Sequence, residues 1–387
     1  MNILKSIGLC LVFLISSQKL QAEVDFHKGD FASLLAKAKE LKKPILIDAF
    51  TDWCGPCKML DKEVFQDEKA SAYINKNFIA YKLDMEKGEG PAVAMKFRIN
   101  AYPSTLFLSS DGLLLTKQIG FPKKEGYLKW CKEVASNKLK PFSNIQASNM
   151  DLDYPDFFKN SYTSDKWKRS RPKVEMINEY LESQEQEELF NEVNWGVISV
   201  LARYKHNKLN WVLKNKSRLE KLYPESEIEG VMEKLVGLKA DSLVKLDLAD
   251  GDKVLKSLMD EMGIKDKDMR NNSLFGFYFK SKRWSELIDF AYKISDDGQA
   301  NPGTMNSICW TIYEKSDDQK LLKKAIKAME TAVDIDDNPY YIDTLAHLYF
   351  KTKQMDKARK SAMIALRKGK EKEMNMKATE QLLNKQN

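Results

Sequence analysis

The sequence predicts an α/β domain followed by an all-helical domain, and three observations support this fold class. Up to residue 140, segments with helical spacing of apolar residues alternate with short patterns typical of buried strands. Past that point the strand-like alternation disappears, and the chain becomes rich in Lys, Glu and Leu at helical spacing. The last part of the chain repeats itself every 37 residues, from Asn301 to Asn338. These observations divide the chain into segments 1–22, 23–140, 141–300 and 301–387.

The length and composition indicate a chain that can form hydrophobic cores. The chain has 387 residues, of which 43% are hydrophobic, so it is long enough for two or three domains. The formal net charge is +7, but 63 Lys and Arg residues are interleaved with 56 Asp and Glu residues. Because this interleaving leaves no dedicated basic surface, we expect no nucleic-acid partner.

The first 22 residues have the features of a secretory signal peptide. A positive charge at Lys5 precedes an apolar run of nine residues, and a polar stretch then leads to Ala22 as a small residue before a cleavage site. A single membrane anchor is the alternative, but this run is much shorter than the roughly 20 apolar residues of a spanning helix. We therefore expect a cleaved signal peptide, a periplasmic or secreted protein, and no membrane insertion after cleavage.

The α/β segment can be divided into elements in chain order. A helix begins after Asp30, a typical N-cap residue, and ends in lysines. The pattern then predicts two strands joined by a parallel crossover, followed by a hairpin that turns at Asp111 and Gly112. The predicted helices cover 31–43, 51–65, 67–78, 91–99 and 123–135, and the predicted strands cover 44–50, 79–84, 105–110 and 113–120.

Two cysteines, Cys54 and Cys57, lie at the start of the second predicted helix. They allow three interpretations: a catalytic dithiol, half of a zinc site, or a structural disulfide. A zinc site needs a second pair of ligands, but Cys131 and Cys309 are isolated and the three histidines form no cluster with them. A structural disulfide does not require a strand-to-helix junction, so we favour the catalytic interpretation and expect no metal site.

Thiol-disulfide exchange needs one reactive thiolate and a second thiol that resolves the mixed disulfide. At a helix N-terminus, unpaired N–H groups and the helix dipole favour the thiolate of Cys54, which we predict to be the nucleophile. Cys57, one turn further along, is predicted to be more buried and to act as the resolving cysteine. Gly55 leaves room for a protein substrate, and Pro56 suits the first turn of a helix.

Residues 30–138 resemble a thioredoxin domain. The residues that carry the resemblance occur in the family's order: Asp48, the Trp-Cys-Gly-Pro-Cys-Lys run from Trp53 to Lys58, Lys82, Pro103 and Gly120. The resemblance implies a thioredoxin fold, with a central mixed sheet flanked by helices. It also implies that Asp48, with Lys82 nearby, handles the proton of Cys57, and that Pro103 is a cis-proline. The substrate-binding residues that it implies are Trp53, Gly55, Pro56, Tyr102, Pro103 and Gly120.

The residues themselves support part of this assignment independently. An aspartate within an apolar strand is costly to bury, so Asp48 should have a raised pKa that suits proton transfer. The alternative is a strand-end aspartate bonded to the backbone. For Lys82 the alternative is a lysine whose ammonium simply reaches solvent. A cis peptide bond before Pro103 would expose the backbone of Tyr102 for strand-like pairing with an extended substrate.

The C-terminal repeat resembles the tetratricopeptide repeat, at a slightly long period. Each unit is predicted to be a pair of antiparallel helices whose second helix carries small residues for close packing, namely Ala325, Ala332, Ala358, Ala362 and Ala365. Stacked pairs would leave a concave surface formed by the first helices. The residues expected on that surface are Tyr313, Tyr340, Asp343 and His347.

Together these features predict an exported thiol-disulfide oxidoreductase that reduces disulfides of client proteins, with the helical region selecting or positioning the clients. The Gly-Pro pair resembles the reducing thioredoxin type. The chain has no nucleotide or flavin fingerprint, so we expect no cofactor beyond the redox-active disulfide, and electrons from a membrane or soluble thiol-disulfide donor. Residues 60–79 resemble secreted thioredoxin-like domains that receive electrons from a membrane relay. The alternatives are a disulfide oxidase or isomerase, or a helical-repeat binding scaffold.

Overall fold

A computed structural model describes residues 23–163, 171–294 and 300–384. The predicted signal peptide lies outside the described residues. These described residues divide into two compact units, one ending at Gly230 and the other beginning at Val231. The domain boundaries expected at residues 140 and 300 stay predictions.

In the first unit, the described strands form one mixed sheet in the order β2-β1-β3-β4-β5. Strands β1 and β2 are parallel, and the other neighbouring pairs are antiparallel. This arrangement is the thioredoxin fold predicted from the sequence, including the crossover and the hairpin. The strands are β1 (Ile45–Phe50), β2 (Ile79–Asp84), β3 (Ser104–Leu108), β4 (Leu113–Ile119) and β5 (Phe142–Gln146).

Helices flank this sheet and continue after it. Asp30 caps the first helix by accepting the N–H of Ser33 at 2.8 Å, as its position in the sequence predicts. The helices are α1 (Phe31–Leu41), α2 (Gly55–Leu60), α3 (Glu68–Asn77), α4 (Gly90–Lys96), α5 (Lys123–Ala135), α6 (Asp156–Lys159), α7 (Val174–Glu182), α8 (Glu192–Val200), α9 (Leu209–Lys214), α10 (Lys216–Leu222) and α11 (Glu225–Leu246), the last of which contains the division between the units. Short 3₁₀ turns cover Glu188–Phe190 and Leu201–Tyr204.

The structure differs from the predicted elements at two places. The helix predicted over 51–65 begins only at Gly55, and its second half is a π-helical segment, Asp61–Phe65. The fifth strand, β5, was not predicted, because only Ile145 of its five residues is buried and its pattern does not alternate. Pairing with β4 holds this strand in place instead.

In the second unit, the described secondary-structure elements are all helices. The repeat predicted over 301–387 folds as helices that begin at Pro302 and Pro339, each capped by the preceding asparagine side chain. The predicted small residues of the partner helices are buried, with exposed fractions of 2% or less. The helices are α12 (Gly251–Glu261), α13 (Lys267–Lys280), α14 (Trp284–Lys293), α15 (Pro302–Lys315), α16 (Gln319–Ile335), α17 (Pro339–Lys351), α18 (Met355–Glu371) and α19 (Lys377–Asn384).

No helix in the described part of the chain combines the length and the apolar character that crossing a membrane requires.

Candidate active site

The two cysteines form a disulfide bond at the start of α2. Cys54 is the N-cap residue, and its sulfur accepts the backbone N–H of Cys57 at 3.1 Å. The helix terminus therefore offers a hydrogen-bond donor to the Cys54 sulfur, as the sequence predicted. The expected difference in burial is not found, because both cysteines have an exposed fraction of 3%. Because the two cysteines are equally buried, burial gives no reason for Cys54 to react first. The predicted order of attack therefore depends only on the position of Cys54 at the helix N-terminus.

The residues around the disulfide leave one side of the site open. A side chain at Gly55 would meet no atom within 4 Å, and Pro56 lies in the first turn of α2. Trp53 is 62% exposed, and its indole N–H donates to a carboxylate oxygen of Glu86 at 2.9 Å. Glu86 was not predicted as a site residue, but this bond fixes the orientation of a large exposed ring beside the disulfide.

A second loop brings Tyr102 and Pro103 to the same place. The Tyr102–Pro103 peptide bond is cis, as the resemblance implied. The Tyr102 ring meets the Trp53 ring edge to face, with centroids 5.9 Å apart. Gly120 adopts a left-handed conformation, with φ of +88°, and its N–H donates to the carbonyl of Pro103 at 2.8 Å. The structure therefore brings the predicted substrate-binding residues together around one surface.

Asp48 lies in the middle of β1 and has no solvent exposure. In the sheet it is opposite Lys82 on one side and Thr105 on the other. Neither carboxylate oxygen has a hydrogen-bond partner, and the Lys82 ammonium is 3.6 Å from Oδ2. Burial raises the pKa of Asp48 to about 7, although the positive charge of Lys82 opposes the shift. The predicted raised pKa is therefore found, and the alternative of a backbone-bonded aspartate is not.

Lys82 connects two carboxylates. Besides its contact with Asp48, its ammonium donates a hydrogen bond to Asp61. The ammonium also lies 5.0 Å from the ring centroid of Phe50, and the Lys82 side chain is 24% exposed. Lys82 is thus an organised ion-pair partner rather than a lysine that only reaches solvent.

Asp61 is a site residue that sequence reasoning missed. It is four residues after Cys57, at the first position of the π-helical segment, and its negative charge contributes to the raised pKa of Asp48. The spacing was the available signal, because residues four apart share a face of a helix. In a regular helix, a carboxylate at that position lies on the same face as the second cysteine.

We expect Asp61→Asn to lower the pKa of Asp48. The substitution removes a negative charge that raises this pKa, and it also frees Lys82 to pair with Asp48. Lys82→Met should have the opposite effect. The measurement is an NMR titration of the Asp48 carboxyl carbon. Glu63→Gln removes an exposed charge from the same helical segment and serves as the control. An unchanged Asp48 titration in Asp61→Asn would contradict the assignment.

The other two cysteines of the described chain lie elsewhere. Cys131 and Cys309 are free and buried, and burial raises the pKa of each thiol to about 12. Cys131 packs in the core of the first unit with Tyr127 and Val134. Both therefore act as core residues.

Comparison with known proteins identifies the fold family. Residues 31–135 match the family model described as "Thioredoxin-like domain". The chain is 33% identical over 88 residues to the thiol:disulfide interchange protein DsbD of Vibrio vulnificus, an alignment that spans 21% of this chain and only 15% of that protein. It is 32% identical over 103 residues to the thioredoxin of Mycoplasmoides gallisepticum, spanning 26% of this chain and 89% of that protein.

A solved structure gives a similar comparison. The short form of thioredoxin F from spinach chloroplast is 26% identical, with a TM-score of 0.24, and the match covers 30% of this chain and 95% of that one. The matched residues 31–135 include both cysteines, Asp48, Lys82 and the cis-proline. Through this domain, the chain belongs to the thioredoxin family.

Proposed function

We propose that the protein is a thiol-disulfide oxidoreductase that reduces disulfide bonds of client proteins. The Cys54 thiolate attacks a client disulfide and forms a mixed disulfide, which releases the first client thiol. The Cys57 thiolate then attacks Cys54, so that the Cys54–Cys57 disulfide forms and the second client thiol leaves. Asp48 accepts the proton of Cys57. A thiol-disulfide donor protein restores the dithiol.

One observation carries this proposal: a Cys-x-x-Cys disulfide at a helix N-terminus lies beside the loop of a cis-proline. The Trp53–Tyr102 ring contact joins the two parts into one surface. The name of the Vibrio vulnificus relative, a thiol:disulfide interchange protein, supports the same chemistry. It also supports a donor or client that is itself a thiol-disulfide protein.

The direction of electron flow is proposed to be reducing, because the Gly-Pro pair between the cysteines resembles the thioredoxin type. Thioredoxins of that type have reduction potentials of about −270 mV, whereas strongly oxidising disulfide oxidases lie near about −120 mV. Equilibration of the Cys54–Cys57 pair with glutathione buffers measures the potential. A value well above about −200 mV would favour the alternative function, an oxidase or isomerase.

We also propose that the protein is exported to the periplasm or secreted, with cleavage after Ala22. The support is the N-terminal sequence alone: a basic start, a short apolar run and a small residue at the cleavage position. Mass spectrometry of the N-terminus after expression in a Gram-negative host tests this proposal. Full-length protein in the cytosolic fraction would contradict it.

The helical region is proposed to contain tetratricopeptide-like hairpins that select or position clients. Helices α15 and α16 pack together, as do α17 and α18, through the buried alanines of the second helices. A cavity of about 530 Å³ is lined by Tyr313, Glu314, Lys315, Phe350 and Lys351, which belong to the two first helices. Of the residues predicted to contact clients, Asp343 and His347 are buried, whereas Tyr340 is 45% exposed. The alternative, a binding scaffold with secondary redox activity, depends on the same surface.

Replacing Tyr313 and Phe350 together with alanine is expected to reduce client capture. The change removes two aromatic walls of the cavity while leaving the redox domain intact. In a Cys57→Ser background, mixed disulfides with periplasmic proteins should decrease about tenfold, because about 1.4 kcal/mol of binding energy corresponds to that factor. With Cys57 present, reduction of a small disulfide such as oxidised glutathione should not change in the Tyr313/Phe350 variant.

The matched control is Met363→Ala, which removes a 59% exposed apolar side chain from α18, a second helix. It should capture the same clients as the parent protein. If the Tyr313/Phe350 variant is folded and captures the same clients with the same efficiency, this cavity does not select them.

A further inference from the structure

Five charged side chains form a buried cluster in the first unit. Three are cations of the thioredoxin domain, Lys96, Arg98 and Lys117, with exposed fractions between 1% and 5%. Two are carboxylates of the following helical segment, Glu192 at the start of α8 and Glu227 in the first turns of α11. The two carboxylate side chains are 8% and 5% exposed. The helical segment thus supplies the counter-charges for cations that the thioredoxin domain buries.

Glu227 is the centre of this cluster. Its Oε2 accepts the Arg98 Nε–H at 2.8 Å and the Trp195 indole N–H at 2.8 Å, and its Oε1 accepts from the Lys117 ammonium at 2.6 Å. Burial by itself raises the pKa of Glu227, but Arg98 and Lys117 outweigh this effect and hold the pKa at about 2. Glu227 is therefore negatively charged at neutral pH.

Lys117 connects Glu227 to the backbone of Phe97 and Arg98. A lysine ammonium has three donors, and here all three are used: one bonds to Glu227, one to the carbonyl of Phe97 at 3.1 Å, and one to the carbonyl of Arg98 at 3.3 Å. Arg98 has a φ of +53°, in the left-handed region that non-glycine residues seldom adopt. Contacts with Lys117 and Glu227 hold the residue in that conformation.

The segment that follows Arg98 is the loop of the candidate active site. Residues 97–103 run from the two carbonyls bound by Lys117 to the cis-proline. The carbonyl of Pro103 accepts the Gly120 N–H at 2.8 Å. Lys117 and Gly120 lie three residues apart at the end of β4. One short stretch of chain therefore fixes both ends of the 97–103 segment, and Tyr102 lies near the second end.

Other contacts of the same cluster involve Lys96 and Arg98, at the start of the loop. Glu192 accepts from Lys96 at 2.8 Å and from Arg98 at 3.4 Å. The Arg98 guanidinium lies 5.5 Å from the ring centroid of Tyr223, and that ring stacks on Trp195. Burying charges is costly, and the cost is offset only where the ion pairs and hydrogen bonds have good geometry. The contacts of this cluster therefore depend on one arrangement of the loop against the helical segment.

We propose that Glu227 is a positioning residue for the substrate surface: through Lys117 and Arg98 it sets the conformation of segment 97–103 and thereby the place of Tyr102 against a bound client. This inference rests on the proposed function. It assigns to the helical segment before residue 230 a role in the redox site itself, separate from client selection by the C-terminal repeats.

The test is Glu227→Gln in the full-length mature protein. The amide cannot accept from both cations, because its nitrogen is a donor that would face either Lys117 or Arg98. With insulin as the disulfide substrate, KM should rise about tenfold while kcat changes less than about twofold, as expected when binding geometry is lost and the chemical step is intact. Reduction of the Cys54–Cys57 disulfide by dithiothreitol should be unchanged, because a small reductant does not use the loop.

Glu187→Gln is the matched control. It removes a carboxylate of the same helical segment whose ion pair with Arg218 is exposed, with side-chain exposures of 75% and 49%. KM should stay at the wild-type value in this variant. If Glu227→Gln has the same KM as Glu187→Gln, the inference is wrong.

A second variant separates positioning from folding. The double variant Lys117→Met/Glu227→Gln removes one cation and one carboxylate. The cluster has three cations and two carboxylates in the wild type and two cations and one carboxylate in this variant, so its net charge stays at +1. This variant should fold even if Glu227→Gln does not. Its KM should remain raised, since the carbonyls of Phe97 and Arg98 lose their donor. A wild-type KM would show that the cluster only stabilises the fold.

An NMR measurement keeps this test independent of the proposed function. The Tyr102 ring lies against the Trp53 ring, so its proton shifts report the loop conformation. These shifts should change in both Glu227 variants and not in Glu187→Gln. If the wild-type protein does not reduce insulin, the proposed function fails, and the Tyr102 shifts alone decide the inference: unchanged shifts overturn it, and changed shifts support it.

Discussion

Cys54→Ser is expected to abolish reduction of disulfide proteins, whereas Cys57→Ser is expected to trap them. Cys54 is the N-cap of α2, where its sulfur accepts the N–H of Cys57, so its thiolate is stabilised and attacks first. Without Cys54 the thiolate that makes the first attack is missing. Without Cys57 the mixed disulfide forms but is not resolved, so covalent complexes should accumulate on non-reducing gels and disappear on addition of dithiothreitol.

Cys131→Ser is the matched control for both variants, because it removes a free, buried thiol of the same domain. Its rate of disulfide reduction should equal that of the wild type if the variant is folded. Iodoacetamide labelling of the reduced protein at neutral pH gives a direct measure of which thiol reacts first. Faster modification of Cys57 than of Cys54 would reverse the assigned roles.

The sequence predicts the α/β part of the fold well where burial leaves a clear pattern. Strand β1 is a nearly continuous apolar run, β2 is mostly apolar, and the hairpin of β3 and β4 has an Asp-Gly turn, so each could be located from local residues. Strand β5 could not, because a polar edge strand with one buried residue is defined by its pairing partner. The π-helical segment at Asp61 likewise has no signal in the spacing of apolar residues.

The residues of the candidate site also fall into those that the sequence could predict and those that it could not. Cys54, Cys57 and Asp48 could be predicted because a reactive pair at a helix start and a carboxylate in an apolar strand are both visible in a short window of sequence. Glu227 could not, since it lies 129 residues from its partner Arg98. No local pattern connects a carboxylate in a helical segment with an arginine in the loop before a proline. Only the tertiary structure brings them together.

Asp48→Asn is expected to stabilise the protein above neutral pH. The carboxyl group titrates near 3.8 in an unfolded chain and near 7 in the folded protein, because burial disfavours its charge. Below about pH 4 both states are protonated, so Asp48 has no pH-dependent effect there. Between about pH 4 and pH 7 the unfolded state ionises while the folded state keeps its proton, so stability falls across this window and becomes constant once Asp48 is ionised in both states, above about pH 7. A difference of about 3 pKa units corresponds to about 4 kcal/mol. Urea unfolding of the oxidised protein between about pH 4 and pH 8 measures the gain of the variant over the wild type.

The same substitution is expected to slow the second step of the reaction, and the combination identifies the role of Asp48. The carboxylate is proposed to accept the proton of Cys57, and general-base assistance typically contributes about 10²- to 10⁴-fold. Resolution of a preformed mixed disulfide with Cys54 should therefore slow by about that factor in Asp48→Asn, while the initial attack by Cys54 changes little. In the wild type this second rate should increase as pH rises through about 7, when Asp48 becomes ionised, and the variant should lack that inflection.

Equal slowing of both steps would show that Asp48 is structural. Asp48→Asn should thus be more stable at high pH and slower only in resolution. Both results have one explanation: burial of Asp48 costs stability, and the same burial gives the carboxyl the raised pKa that the reaction needs.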